Sequence, residues 1–366
     1  MVLDGPAESP PAGIVPNFKN PANLNALIAL TTTLCMTFGT LAVLTRMYTK
    51  VFLIRSLAYE DYVIVVAWLG QVGETIPNVM VFKNGGGTHM WDIQLRTFFG
   101  MLYWVNISAA IYGFVIFFVK LSILLQYIRI FAPSRKGNMF IYVGAHVCIW
   151  ANLIFYLITA MFDIALCTPR KKIWNPLIPG HCFSNTANFQ ASGVFNVISD
   201  FAILLLPMPS IWKLQMPLKR KVLMIMIFAT GIFTCVTSIL RTYYTWKIVK
   251  SPDISYHMLQ MGLWTEAEIS TGIIISCLPV IPKFIRHFGP KVYGSLLLRL
   301  KSTSKSRWLK VTSQFELPSP KHALGSKASE YLTLDEYHTG PKDLNHPAEA
   351  RLATARDDLE RGGRSF

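Results

Sequence analysis

Charge is scarce in this sequence. Asp, Glu, Lys and Arg make up 15% of its 366 residues, where soluble domains run near one quarter. Cysteine is sparse as well, six in all, which excludes a scaffold built from disulfides. The usual signatures of catalysis and nucleotide binding are missing. There is no nucleophile elbow, zinc spacing or dinucleotide fingerprint. Gly85-Gly86-Gly87 lacks the helix start and Lys-Ser/Thr pair of a phosphate cradle, so it reads as a flexible loop. Neither a metal nor a cofactor is expected. An ordinary signal peptide is absent too. Residues 1–23 hold several prolines and no apolar run, which reads as a short, free extracellular segment.

What the chain does have is apolar sequence, 52% of its residues, arranged in long unbroken runs rather than in the amphipathic periods of a soluble core. A bilayer core about 30 Å thick needs roughly 20 apolar residues in a helix. Seven runs meet that length: Leu24 to Leu44, Tyr62 to Phe82, Phe98 to Phe131, Met139 to Leu166, Ala191 to Trp212, Val222 to Tyr244 and Leu259 to Pro282. The expected fold is therefore all-α, a seven-transmembrane helix bundle over residues 24–300. Residues 301–366, rich in Ser, Pro, Gly and charge, read as a disordered cytoplasmic tail. The first span would act as the insertion signal. The third exceeds what a bilayer requires, so its end should project into the cytosol.

A formal net charge of +15 could suggest nucleic acid, but the bases sit in short loops between apolar runs, so the bilayer is the expected partner and nucleic acid is not. Arg46, Lys50 and Arg55 follow the first span, Arg129, Arg135 and Lys136 the third, Lys213, Lys219, Arg220 and Lys221 the fifth, and Lys283, Arg286 and Lys291 the seventh. The opposite loops hold fewer bases, which puts the N-terminus outside and the C-terminus inside. The plasma membrane is the expected location, with an endomembrane as the alternative. Cys35, Cys148, Cys235 and Cys277 fall inside spans. Cys167 and Cys182 flank one outer loop, where an oxidising compartment permits a bridge.

Acids inside a membrane are costly and so informative. Glu74, Asp200, Glu266 and Glu268 all fall in the outer half of their spans, at about 1.5 Å of rise per residue. Gln71 and Asn78 share the face of Glu74, Asn196 lies one turn above Asp200, and Trp264 and Thr271 share the face of Glu268. Glu266 and Glu268, two apart, cannot face the same way. Arg241 is an available counter-charge, and Tyr103, Trp104, Asn106 and Tyr112 add aromatic and polar groups at that depth. One reading is a ligand pocket opening outward, lined by Glu74, Asn78, Asn106, Asp200, Arg241, Trp264 and Glu268. The other is a set of interhelical hydrogen bonds holding the bundle together. Lys120 counts as near the inner interface, as an anchor or a partner for Glu60 or Asp61. Arg129 is a candidate for coupling to a cytosolic signalling protein, or simply a positive-inside residue.

Several pieces occur together in order: Glu60-Asp61-Tyr62, Gly85-Gly-Gly-Thr-His89, Lys120-Leu-Ser-Ile-Leu-Leu-Gln-Tyr-Ile-Arg129, the Cys167 to Cys182 loop, Asp200-Phe-Ala-Ile-Leu-Leu-Leu-Pro-Met-Pro209, Arg241-Thr-Tyr-Tyr, and Glu268 with Cys277-Leu-Pro279. In this the chain resembles the fungal rhodopsin-domain integral membrane proteins, a family that includes receptor-like proteins. The resemblance covers about residues 25–300. It implies seven helices with the N-terminus out, and a role in signalling or in a secondary-metabolite gene cluster. The seventh span has no lysine before Lys283, so a retinal Schiff base is not expected. Two functions remain open: sensing of a small lipophilic ligand, or acid catalysis on a lipophilic pathway intermediate by a membrane-embedded, cyclase-like enzyme. A transporter ranks below both, since no repeat relates the two halves.

Overall fold

A computed structural model describes residues 4–288, apart from residues 14, 19–20, 22–23, 133–137, 176, 184 and 213–217. Among the described residues seven helices are long and apolar enough to cross a membrane: α1 (Asn25–Tyr48), α2 (Tyr59–Lys83), α3 (Leu95–Phe131), α4 (Met139–Ala165), α5 (Asn185–Leu205), α6 (Leu218–Lys250) and α7 (Ile254–Cys277). The expected helix bundle is present, and the tail from 301 lies outside the described residues. Large apolar side chains of α1, α2, α4, α5 and α6 face outward, whereas those of α7 lie in the core. Leu30 of α1 and Trp150 of α4 are each 59% exposed, as residues that meet acyl chains rather than water should be.

Local chemistry sets the helix ends. At the start of α2 the Asp61 carboxylate accepts the Ala58 N–H (2.9 Å), and Glu60 and Asp61 place negative charge in the first turn, where the helix dipole favours it. The fifth run was expected to continue to Trp212, but α5 ends at Leu205 and a separate short helix runs Met208–Trp212. Pro207 and Pro209 supply no N–H, so the ladder breaks there. Pro77 lies inside α2 and leaves the carbonyl of Gly73 without its helical donor.

α3 is the central helix. It packs along α2 and against α4 and α7, while α6 packs along α7, α5 against α6 and α1 against α7. Val115, Val119, Ile123, Leu124 and Tyr127 of α3 form the core with Ile64, Ile203, Ile269 and Ile273.

At one end of the bundle Cys167 and Cys182 are disulfide-bonded, as expected. They sit on two short antiparallel strands, β1 (Cys167–Thr168) and β2 (His181–Cys182). The loop they close is pinned by Lys172 Nζ donating to the Gly180 carbonyl (2.8 Å) and by Trp174 lying edge-on to Tyr103 of α3 (5.2 Å).

Two expectations at this disulfide end are corrected. The N-terminal segment is not free: Ala7 N–H donates to Ile93 O (2.8 Å) and Leu95 N–H to Gly5 O (3.1 Å). A short sequence without an apolar run can still be held through its backbone, which composition does not reveal. The triple-glycine segment is a fixed turn rather than a flexible loop. Gly85 and Gly87 take φ of 88° and 91°, open to glycine without strain, and the Gly85 carbonyl accepts from Thr88 Oγ1 (2.7 Å) and from Ser255 Oγ of α7 (3.2 Å).

Candidate functional site

A cavity of about 510 Å³ lies between α2, α3, α4, α5, α6 and α7. Its wall is mainly apolar and aromatic, with Phe82, Phe114, Phe117, Phe118, Leu153 and Phe189 among its residues. Such a volume and lining suit a drug-sized organic molecule. Gly262 lies on the wall, with nothing within 4 Å of where a Cβ would stand.

The polar wall residues are Glu74 and Asn78 from α2, Ser108 and Tyr112 from α3, Tyr156, Thr159 and Asp163 from α4, Asn188 and Ser192 from α5, Arg241 from α6 and Thr265 from α7. Ser108 Oγ donates to Glu74 Oε1, while Glu74 Oε2 is buried without a partner. Asn78 Nδ2 donates to Glu266 Oε1 (2.8 Å), so Glu266 stands behind the Glu74 face. Asn106-Ile107-Ser108 fits the glycosylation pattern but lies inside the membrane-spanning helix α3, where no acceptor is expected.

The structure separates acids that were expected to share one cavity. Asp200 and Glu268 do not line the large cavity; with Lys120 they border a small void of about 40 Å³ deeper in the bundle. Lys120 Nζ is 2.9 Å from Asp200 Oδ1 and donates to Asn196 Oδ1 (2.8 Å) and Ser199 Oγ (3.1 Å). Asn196 Nδ2 donates to Glu268 Oε1 (2.5 Å), and Arg241 Nε to Glu268 Oε2 (2.9 Å). Glu266 and Glu268 thus face different partners, as their spacing requires. Asn106 and Trp264 are half-buried and absent from both cavity walls.

Lys120 is therefore corrected from an interfacial anchor to a core cation. At about 1.5 Å per residue α3 is roughly 55 Å long, far more than a bilayer core, so depth counted from one end carries the surplus as error. The acids proposed for Lys120 belong to another cluster, at the end opposite the disulfide. There Arg46 lies 2.7 Å from Asp61 and donates to the Ser276 carbonyl, and Lys50 lies 3.1 Å from Asp61. Arg129, with 44% of its side chain exposed, pairs with Glu60. Arg46 read as a loop charge in the sequence and is in fact fully buried; the acid fifteen residues later at the start of α2 was the available signal. His89 was also missed. It stacks between Trp91 (4.4 Å) and Tyr256 (4.9 Å) and lies 2.5 Å from Asp253.

Three polar routes join the cavity to the buried network, one of them the Tyr112 O–H donating to Glu268 Oε1 (3.4 Å). Tyr156 O–H donates to Asn196 Oδ1 (2.7 Å), and Arg241 reaches from the cavity wall to Glu268 while its guanidinium lies 4.8 Å from the Tyr112 ring centroid. A molecule in the cavity would touch residues bonded to α3, α5, α6 and α7 together.

Comparison with known proteins assigns this arrangement to a family. The fungal rhodopsin domain model matches residues 45–287. The chain belongs to the fungal rhodopsin-domain family. Among its relatives, Fugralins biosynthesis cluster protein 2 of Gibberella zeae is 31% identical over 296 residues, covering 78% of this chain and 72% of that protein. A SAT4 family membrane protein of Emericella nidulans is 38% identical over 227 residues, covering 61% of this chain and 56% of that one. Receptor GIN3 of Arthrobotrys oligospora is 25% identical over 197 residues, covering 54% and 46%. No solved structure gives a significant match. The protein is thus a multi-pass membrane member of this family.

Proposed function

We propose that this fungal rhodopsin-domain protein is a receptor-like sensor of a small lipophilic molecule. It sits in the plasma membrane with the disulfide end outside and Arg129 on the cytosolic side. The observation that carries the reading is the aromatic cavity of about 510 Å³ with Arg241 and Tyr156 on its wall and in the buried network behind it. A ligand biases a helix bundle only through different affinities for its arrangements. Contacts shared with four helices are a means to that difference. The similarity to Receptor GIN3 supports this reading.

The names of other relatives favour a second reading, a membrane-embedded protein or acid-catalysing enzyme of a biosynthetic cluster. One experiment separates the two. The purified protein in nanodiscs is incubated with a lipophilic extract of the source culture, and captured molecules are identified by mass spectrometry. A sensor returns its ligand unchanged, whereas an enzyme depletes a substrate and accumulates a new product. Gly262→Phe fills the cavity from a position with open space beside it. It is expected to abolish capture while leaving expression and thermal stability near wild type. Undiminished capture by that variant would rule the cavity out.

A further inference from the structure

We propose that the cavity's ligand is a lipophilic amine and that its cationic nitrogen is received by Glu74. This rests on the cavity being a ligand site and adds the chemistry of the ligand's polar end.

The charges on the cavity wall are two acids, Glu74 and Asp163, and one base, Arg241. The base is already neutralised by Glu268 at 2.9 Å, and its face is covered by the Tyr112 ring. Lys120 in turn is matched by Asp200 at 2.9 Å. Glu74 has no such match. Its partner is the Ser108 hydroxyl, Glu266 stands nearby through Asn78, and its Oε2 is buried and unpartnered although the residue is 1% exposed. Asp163 is held by Asn188 Nδ2 (3.1 Å), a neutral donor. The ionisable groups on the cavity wall that have no opposite charge beside them are therefore both carboxyls. A buried carboxylate is stable when a cation or several donors satisfy it. An ammonium supplies both the charge and the donors, and aromatic walls favour cations over their faces. Phe82, Phe114, Phe117 and Phe118 provide those walls and room for an apolar body. The unpartnered Nη2 of Arg241 offers an acceptor-bearing group on the ligand a second hold, but with its charge matched it does not call for an anion.

The test uses three probes of one chain length, dodecylamine, dodecanol and dodecanoate, on the full chain in nanodiscs of zwitterionic lipid, read by thermal unfolding. Dodecylamine is expected to raise the melting temperature in a saturable way, and the other two much less. In Glu74→Gln, which keeps size and hydrogen bonding, apparent affinity for dodecylamine should fall at least about thirtyfold, leaving the amine no better than the alcohol. Gly262→Phe should remove the response. A response led by dodecanoate or dodecanol, or an amine response unchanged in Glu74→Gln, overturns the amine while leaving the cavity reading intact. No response to any probe also overturns it, and extract capture sensitive to Gly262→Phe then decides the cavity separately.

Discussion

Lys120 and Asp200 lie 2.9 Å apart with both side chains withdrawn from solvent. Removing one member of such a pair leaves an uncompensated buried charge and costs about 3–5 kcal/mol, while replacing both with apolar groups is often neutral. Lys120→Met and Asp200→Leu are each expected to lower thermal stability sharply, and the double variant to recover most of the loss. Additive losses in a double-mutant cycle would show that the pair is not coupled. At this scale the sequence was informative about which residues are exceptional. Glu74, Asp200, Glu268 and Arg241 stood out because an ionisable group inside a span needs a reason. Their partners were readable only in part: Arg241 was an available counter-charge, but that it meets Glu268 depends on helix rotation and relative height, which a rise per residue does not supply. Lys120 shows this best, since a depth counted along the long α3 put it beside Glu60 and Asp61, whereas its partners are Asp200 and Asn196. Arg46 failed for the opposite reason: a base just after an apolar run looks like every other loop charge.

Helices were more legible than their ends, and the two short strands at the disulfide were not read from the sequence at all. All seven spans follow from run length, yet α5 stops at Leu205 because two prolines outweigh an apolar stretch that continues past them. The Cys167–Cys182 bridge was legible because topology put both thiols on one side of the membrane. It closes a segment with a sequence separation of 15, and a loop of about 15 residues constrains the unfolded chain by about 3 kcal/mol. Replacing both cysteines by serine is expected to lower unfolding stability by about that amount and to loosen Trp174 from Tyr103, seen as faster hydrogen exchange around residues 170–175 without loss of helix content. Exchange rates equal to wild type there would mean that the side-chain packing alone holds the loop.

For the whole molecule, the bias of short-loop bases predicts the disulfide end outside and the residues after the seventh helix inside. A membrane-impermeant maleimide added to intact spheroplasts should label Lys171→Cys, while a reporter fused after Phe366 should read as cytosolic. Protection of residue 171 with an external reporter would invert the assignment. The bundle as a whole followed from the sequence. The cavity was legible only in part: Glu74, Asn78 and Arg241 were candidates for a pocket, but its aromatic wall arises where six helices fail to fill space, which no single helix records. Arg46 adds a consequence in time. Its guanidinium bonds to Asp61, fifteen residues on, and to the Ser276 carbonyl, 230 residues on. At about 5–20 residues per second of synthesis, the first partner arrives within seconds, and the second roughly 10 to 45 seconds later. For that interval the nascent first hairpin sits in the membrane with a half-satisfied cation, until the seventh spanning helix completes the first.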